Sequence, residues 1–145
     1  MATIDETVGS TSLPAVDGAK SFTVQNYVDF DATSRDSGDV IQMLSIPAGT
    51  FVDVVVAEIE TVEGGTLTFD VGDGADANGW HDAVDGNVLG QTRGTGQYSS
   101  TTDGGKLYTT ADTIDITLDN DMDAVKLAIH ARCTPFIIKI PSVQQ

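Results

Sequence analysis

Apolar residues in this chain recur at every second position, and this spacing limits the possible folds more than any other feature of the sequence. Segments 66–71 and 112–119 alternate apolar and polar residues, and the odd-numbered positions from 125 to 133 are all apolar. From Phe22 onward, no window of a dozen residues carries apolar residues at helical spacing. Because a period of two places successive side chains on opposite faces of a strand, the sequence predicts an all-β protein.

Further strands are predicted at 22–30, 40–45 and 51–60, and a last one follows Pro135 at 136–140. Turn residues separate these segments. The Glu-Gly-Gly run at 63–65 predicts that 51–71 is one hairpin, 47–49 suits a type I turn, and 119–123 suits a loop between two antiparallel strands. About seven short strands joined in this way predict a single antiparallel β-sandwich, jelly-roll-like in its connections.

The chain has 145 residues, enough for one domain, and 40% of them are hydrophobic, enough for a packed core. Residues 1–20 carry few apolar side chains, and these follow no period. We therefore expect a flexible, extended N-terminal arm at 1–20 and a β-sandwich domain at 21–145. The arm is either a frayed terminus or a segment that becomes ordered against a neighbouring subunit.

Acidic residues outnumber basic ones by 22 to 7, which gives a formal net charge of −15. This charge repels a nucleic-acid backbone, so DNA and RNA are excluded as partners. The bases lie late in the chain: residues 1–92 hold 16 acids and two bases, whereas residues 93–145 hold six acids and five bases. An outward strip of Lys126, Arg132 and Lys139 is therefore a candidate contact for carboxylates on a neighbour.

Several classes of protein are excluded by what the sequence lacks. The longest apolar stretches are interrupted by charged residues too early to span a membrane, and the N-terminus has no secretion signal, so we expect synthesis in the cytosol. The lone Cys133 cannot close an intramolecular disulfide. Catalytic motifs are missing, and His81 and His130 lie far apart in the sequence, so no enzyme and no catalytic residue is predicted.

An acidic, glycine-rich loop is the one candidate for a metal site. Its oxygen donors suit calcium, yet their spacing departs from that of an EF-hand and the flanking helices are missing. Turns built from Asp, Asn and Gly explain the same residues without a metal. We expect no cofactor, with calcium as the alternative, and the candidate ligands would then be Asp73, Asp76, Asn78, Asp82 and Asp85.

Four further residues are candidates for contacts with a partner. The centre of 51–60 is apolar on both faces, which fits either a covered central strand or a subunit interface at Val55. The single Trp80 either anchors its loop on the core or fills a pocket on a partner. Residues 86–105 read as a long loop, functional or mobile, in which Arg93 and Tyr98 are the candidate contacts.

Segments 51–65, 68–80 and 106–115 resemble small virion proteins of tailed bacteriophages that are encoded near the major capsid protein, and the resemblance spans roughly 40–130. It implies a capsid decoration or cement protein that contacts the major capsid protein and copies of itself, as a homotrimer or another symmetric oligomer. The net charge of −15 favours the outer surface over the DNA-filled interior.

Two alternatives use the same predicted fold. A tail, baseplate or head-fibre component would be a structural module at another place in the virion. A calcium-dependent carbohydrate-binding module would depend on Trp80, Tyr98 and the acidic loop.

Overall fold

Ten β-strands form the framework of the part of the chain that the structure describes. The computed structural model describes residues 2–9, 21–99 and 104–136. In these residues the regular elements are strands and one 3₁₀ turn at Gln97–Ser99, and no helix there has the length and apolar character to cross a membrane. The strands are β1 (Thr3–Gly9), β2 (Phe22–Asp29), β3 (Val40–Ile46), β4 (Thr50–Thr61), β5 (Thr68–Gly72), β6 (His81–Asp85), β7 (Gly90–Arg93), β8 (Lys106–Tyr108), β9 (Asp112–Leu118) and β10 (Lys126–Pro135).

The strands form two sheets that pack face to face. Sheet A has the order β1-β3-β9-β5-β6, and sheet B has the order β2-β10-β4-β7, with β8 also paired to β4. From β2 to β5, successive strands alternate between the sheets, and so do β9 and β10. This connectivity is jelly-roll-like, so the predicted all-β sandwich is confirmed.

The predicted hairpin at 51–71 is wrong. β4 lies in sheet B and β5 in sheet A, so the link at 63–65 crosses from one sheet to the other. The turn at 47–49 and the loop at 119–123 also cross between sheets, and β9 and β10 are not paired with each other. Glycine at a turn shows where the chain reverses, but the strand that follows can pair in either sheet.

The N-terminal segment differs from the predicted arm. Residues Thr3–Gly9 form β1, which pairs in parallel with β3 at the edge of sheet A. The amide of Asn26 donates to the carbonyl of Glu6 at 2.6 Å and so ties β1 to β2. Backbone hydrogen bonds to a neighbouring strand stabilise this segment, although its apolar side chains follow no regular period. Residues 10–20 lie outside the described residues.

Two further predictions change, one at the last strand and one in the loop predicted at 86–105. β10 continues through Pro135 and Phe136 follows it outside any strand, while the rest of the strand predicted at 136–140 lies outside the described residues. The loop predicted at 86–105 contains β7 and the 3₁₀ turn. The polar sequence of β7 hid it, because an edge strand needs few apolar side chains.

The core lies between the two sheets. It is lined by the apolar rows that the alternating sequence pattern predicted. Each row contributes side chains that are at most 1% exposed: Leu67, Phe69 and Val71; Ile114, Ile116 and Leu118; and Val125, Leu127, Ile129, Ala131 and Cys133. The remaining side chains of β9 and β10 point away from the core, so each sheet also has an outer face. These two outer faces differ in charge.

Candidate functional site

Sheet A carries an excess of negative charge on its strands. They contain no lysine or arginine but seven acidic residues: Asp5, Glu6, Asp70, Asp82, Asp85, Asp112 and Asp115. The strands of sheet B carry four acids and four bases: Asp29, Asp53, Glu58, Glu60, Arg93, Lys106, Lys126 and Arg132. The late position of the bases in the sequence thus becomes a difference between the two sheets, because β7, β8 and β10 all belong to sheet B.

Asp115 lies on the outer side of sheet A but is nearly covered. Its side chain belongs to the row outside the core, between Gln42 on β3 and Gly72 on β5, and the residue is 8% exposed. Its Oδ1 has no hydrogen-bond partner in the described part of the chain. Burial raises the pKa of Asp115 to about 6, and the negative charges of Asp112 and Asp73 add to the shift.

The bases on the outer face of sheet B are held by carboxylates of the same chain. Lys126 Nζ lies 3.3 Å from Asp29 Oδ2, and Arg132 Nε lies 3.0 Å from both carboxylate oxygens of Asp53. Adjacent strands of the same chain thus supply carboxylates to Lys126 and Arg132, and the contact of these two bases with a neighbour's carboxylates stays a prediction. Lys139 lies outside the described residues.

Arg93 is the exception among the bases. It is exposed on β7, at the edge of sheet B. Of the five lysines and arginines in the described residues, four lie within 4 Å of a carboxylate, and Arg93 has no such partner there. The structure therefore keeps Arg93 as a candidate contact residue.

A depression of about 440 Å³ lies on the same outer face, nearer to β2. Tyr27, which is 47% exposed, and Glu60 lie at its sides, and the small Ala128 lies on the central strand. The imidazole of His130 bridges the depression, with Nδ1 2.9 Å from Gln25 Oε1 and Nε2 3.0 Å from Glu58 Oε2. Sequence reasoning missed this place, since only the pairing of β2 with β10 and of β10 with β4 brings these side chains together.

A second polar cluster lies at the opposite edge of sheet B and is largely buried. The Asp73 carboxylate accepts hydrogen bonds from Lys106 Nζ at 2.5 Å and from the Tyr108 hydroxyl at 2.8 Å. Burial opposes ionisation of Asp73, yet these two bonds hold its pKa below the usual value. Trp80 Nε1 donates to the Tyr108 hydroxyl at 3.1 Å, so the cluster fastens the loop before β6 to β8.

The aromatic candidates belong to this cluster. Trp80 is fully buried, so it anchors its loop and cannot stack on a sugar or fill a partner's pocket. Tyr98 packs edge-on against Trp80 with the ring centroids 5.4 Å apart, and Lys106 Nζ lies 4.5 Å from the centre of the Tyr98 ring. Val55 is 1% exposed and belongs to the core of the single chain. A subunit interface at Val55 is therefore wrong.

The acidic loop uses its oxygen atoms for internal hydrogen bonds. Asp73 binds Lys106 and Tyr108, the Asp76 carboxylate accepts from Gln97, Asp82 accepts from Asn78 and Asp85 accepts from the backbone of Asn87. In the described ranges, no three His, Cys, Asp or Glu residues are grouped so that they could hold a metal ion. The five predicted ligands thus form hydrogen bonds that stabilise turns and the buried cluster.

His81 and Cys133 are fully buried. Burial lowers the pKa of His81, whose Nε2 donates to the carbonyl of Val55 at 2.8 Å. Burial raises the pKa of the Cys133 thiol to about 12, and the charge of Asp53 contributes. A buried thiol with such a pKa is a poor nucleophile, which agrees with its predicted place in the core.

Comparison with solved structures returns chains from phage capsids. The protein shares its fold with these capsid chains. A chain from the acid-stable capsid of Helicobacter pylori bacteriophage KHP30 has 15% identity and a TM-score of 0.60, with 83% of this chain and 92% of that chain covered. For a chain from the capsid of Ralstonia phage GP4 the TM-score is 0.61 at 15% identity, with coverage of 90% and 93%.

A chain from the cyanophage Pam1 capsid is also 15% identical, with a TM-score of 0.63 and coverage of 87% and 93%. The likeness thus extends over nearly the whole of each capsid chain, which means that these chains are domains of similar size. No family model matches the sequence, and no curated protein matches it.

Proposed function

We propose that this protein is a non-enzymatic structural component of a phage virion that decorates the outer surface of the capsid. It stabilises the shell through contacts with the major capsid protein and with copies of itself. The observation that carries this proposal is the shared jelly-roll-like fold, matched over 92–93% of three chains from phage capsids. A match over nearly full chains fits a small separate capsid component better than one domain of a larger shell subunit.

The charge of the protein supports a place on the outside of the shell. A net charge of −15 opposes contact with the packaged genome, whose backbone is also anionic. The acidic strands of sheet A give the protein one face that suits a basic surface of a shell subunit or solvent, but not DNA.

Stabilisation would follow from binding alone, without a chemical step. A protein that binds only the mature shell favours that state by RT ln(1 + [L]/Kd), about 2.7 kcal/mol per site at a hundred times Kd. Many sites act on one lattice, so a modest affinity at each site changes the stability of the whole particle. This mechanism needs no catalytic residue. The polar clusters described above form their hydrogen bonds within the chain, which fits such a role.

The test compares particles assembled with and without this protein. We expect particles that lack it to release DNA at a lower temperature, read by a dye that reports accessible DNA, and the purified protein to restore the release temperature when added back. Val55→Asp protein, which we expect to be unfolded, is the matched control for addition of the same polypeptide. Equal release temperatures for particles with and without the protein, or equal restoration by the original and the Val55→Asp protein, would contradict a stabilising role.

An image of the intact particle tests the location separately. Density for the sandwich on the outer capsid surface supports decoration. Density at the tail, baseplate or a head fibre would replace the proposal with the alternative structural role, and density among the packaged DNA would overturn the argument from charge.

A further inference from the structure

The outer face of sheet B carries two features that complement each other in charge. One is the exposed guanidinium of Arg93, which has no carboxylate partner among the described residues. The other is the depression between Tyr27 and Glu60, which holds an exposed aromatic ring and two carboxylates. The Glu60 carboxylate, like the Arg93 guanidinium, has no ion-pair partner in the described ranges. Both charged groups are therefore available for a contact with another molecule.

Strand register places both features on one face. Arg93 is in register with Val56, Val56 with His130, and His130 with Gln25. Residues in register share a face, so Arg93 points to the same side as the His130 and Gln25 side chains that line the depression. The row runs across β7, β4, β10 and β2, so Arg93 and the Tyr27 strand lie three strand spacings apart, about 14 Å.

We propose that Arg93 of one copy of this chain binds in the Tyr27–Glu60 depression of a second copy. The guanidinium stacks on the Tyr27 ring and faces the carboxylates of Glu58 and Glu60, while the small side chain of Ala128 leaves room for it. Arginine suits such a place because its planar cation both stacks on aromatic rings and forms hydrogen bonds with carboxylates.

The second copy is favoured as the occupant by the distribution of charge over the protein. Two chains of net charge −15 repel each other, and the repulsion is greatest where acids are unopposed. The strands of sheet A carry seven acids and no base, whereas those of sheet B carry four of each. Sheet B therefore offers the face on which two copies can approach, and each copy carries both halves of the contact, as a closed symmetric oligomer requires.

The size of the outer face of sheet B sets the expected strength of self-association. Four strands at about 4.8 Å spacing and a central strand about 33 Å long give roughly 600 Å² per copy, or about 1,200 Å² for a pair. That is the lower end of specific protein interfaces, so association in solution should be weak and gain strength when many copies are held on one lattice.

The inference deepens the self-association in the proposed function and rests on it. Its test uses the purified chain in sedimentation velocity over a range of concentrations, with Arg93→Gln as the test variant. Arg35→Gln is the matched control, since it makes the same change of charge at a residue that pairs with Glu6 away from this face. We expect Arg93→Gln to weaken self-association about tenfold or more, and Arg35→Gln to leave it unchanged.

A charge exchange makes the test specific to the two residues. Arg93→Glu and Glu60→Arg should each weaken association, and the double variant, which keeps the net charge of the original chain, should restore it. Because both positions are exposed on strands, circular dichroism should show all variants folded. A monomeric original chain at every concentration, equal effects of Arg93→Gln and Arg35→Gln, or no recovery in the double variant would each overturn the inference.

Failure of this contact can be told apart from failure of the proposed function. If the original chain is monomeric in solution yet raises the DNA-release temperature of particles, the contact is wrong and the capsid role stands. If the chain associates through Arg93 but particles show no change, the contact stands and the capsid role is wrong.

Discussion

Replacing Asp115 by Asn should stabilise this protein at neutral pH and remove much of its response to mild acid. Burial raises the pKa of Asp115 to about 6, above its ordinary value of 3.8. A raised carboxyl pKa means that ionisation is easier in the unfolded chain, so the charged form disfavours folding. Stability from this group is therefore gained as pH falls through about 6 and is complete below 3.8.

The magnitude follows from the size of the shift. A difference of about 2 units between the pKa of Asp115 in the folded and in the unfolded chain corresponds to about 3 kcal/mol. Between pH 7 and pH 5 the gain in stability is about 1 kcal/mol, because protonation of Asp115 in the folded chain is then largely complete. For a domain of this size, that gain raises Tm by about 3–5 °C.

The assay is urea unfolding of the original chain, Asp115→Asn and the control Asp85→Asn at pH 7 and pH 5. Asp85 is an exposed acid on the same sheet, so Asp85→Asn removes one charge without relieving a buried one. We expect Asp115→Asn to be the most stable of the three proteins at pH 7. Its free energy of unfolding should also increase least when the pH is lowered from 7 to 5. If Asp115→Asn gains as much as the original chain on acidification, or is less stable at pH 7, the reasoning from burial is refuted.

Three further results are expected. Asp73→Ala should destabilise the domain by about 3 kcal/mol in urea unfolding, since it leaves the partly buried Lys106 ammonium and the buried Tyr108 hydroxyl without their shared acceptor; an unchanged midpoint would contradict an anchoring role. Val55→Asp should unfold the isolated chain by circular dichroism, because it places a charge in the core, and a folded monomer would refute that placement. Gly72→Ala should lower Tm strongly, since a Cβ there would lie about 2.0 Å from a backbone carbonyl oxygen, and an unchanged melt would show that the loop can move aside.

The strands were readable from the sequence because each buries one face. Alternation in 112–119 and 125–133 identified the inward side chains of β9 and β10, all of which lie in the core. Composition also sufficed to predict that nucleic acid is not a partner, since a net charge is a property of the chain in any fold. Elements without an apolar row were not readable: β1 and β7 owe their existence to ladder bonds with β3 and β4.

The candidate faces depended on the tertiary structure. Alternation shows which side of a strand is inward but carries no information about which strand lies beside it, so the sheet change at 63–65 was missed. Only the pairing of β10 with β2 and β4 decided that Lys126 and Arg132 face carboxylates of their own chain, while Arg93 does not. The sequence by itself determined the fold class, the inward rows and the excess of negative charge. The distribution of that charge over two faces was decided by strand order, because contacts between residues far apart in the chain form only when the sheets assemble.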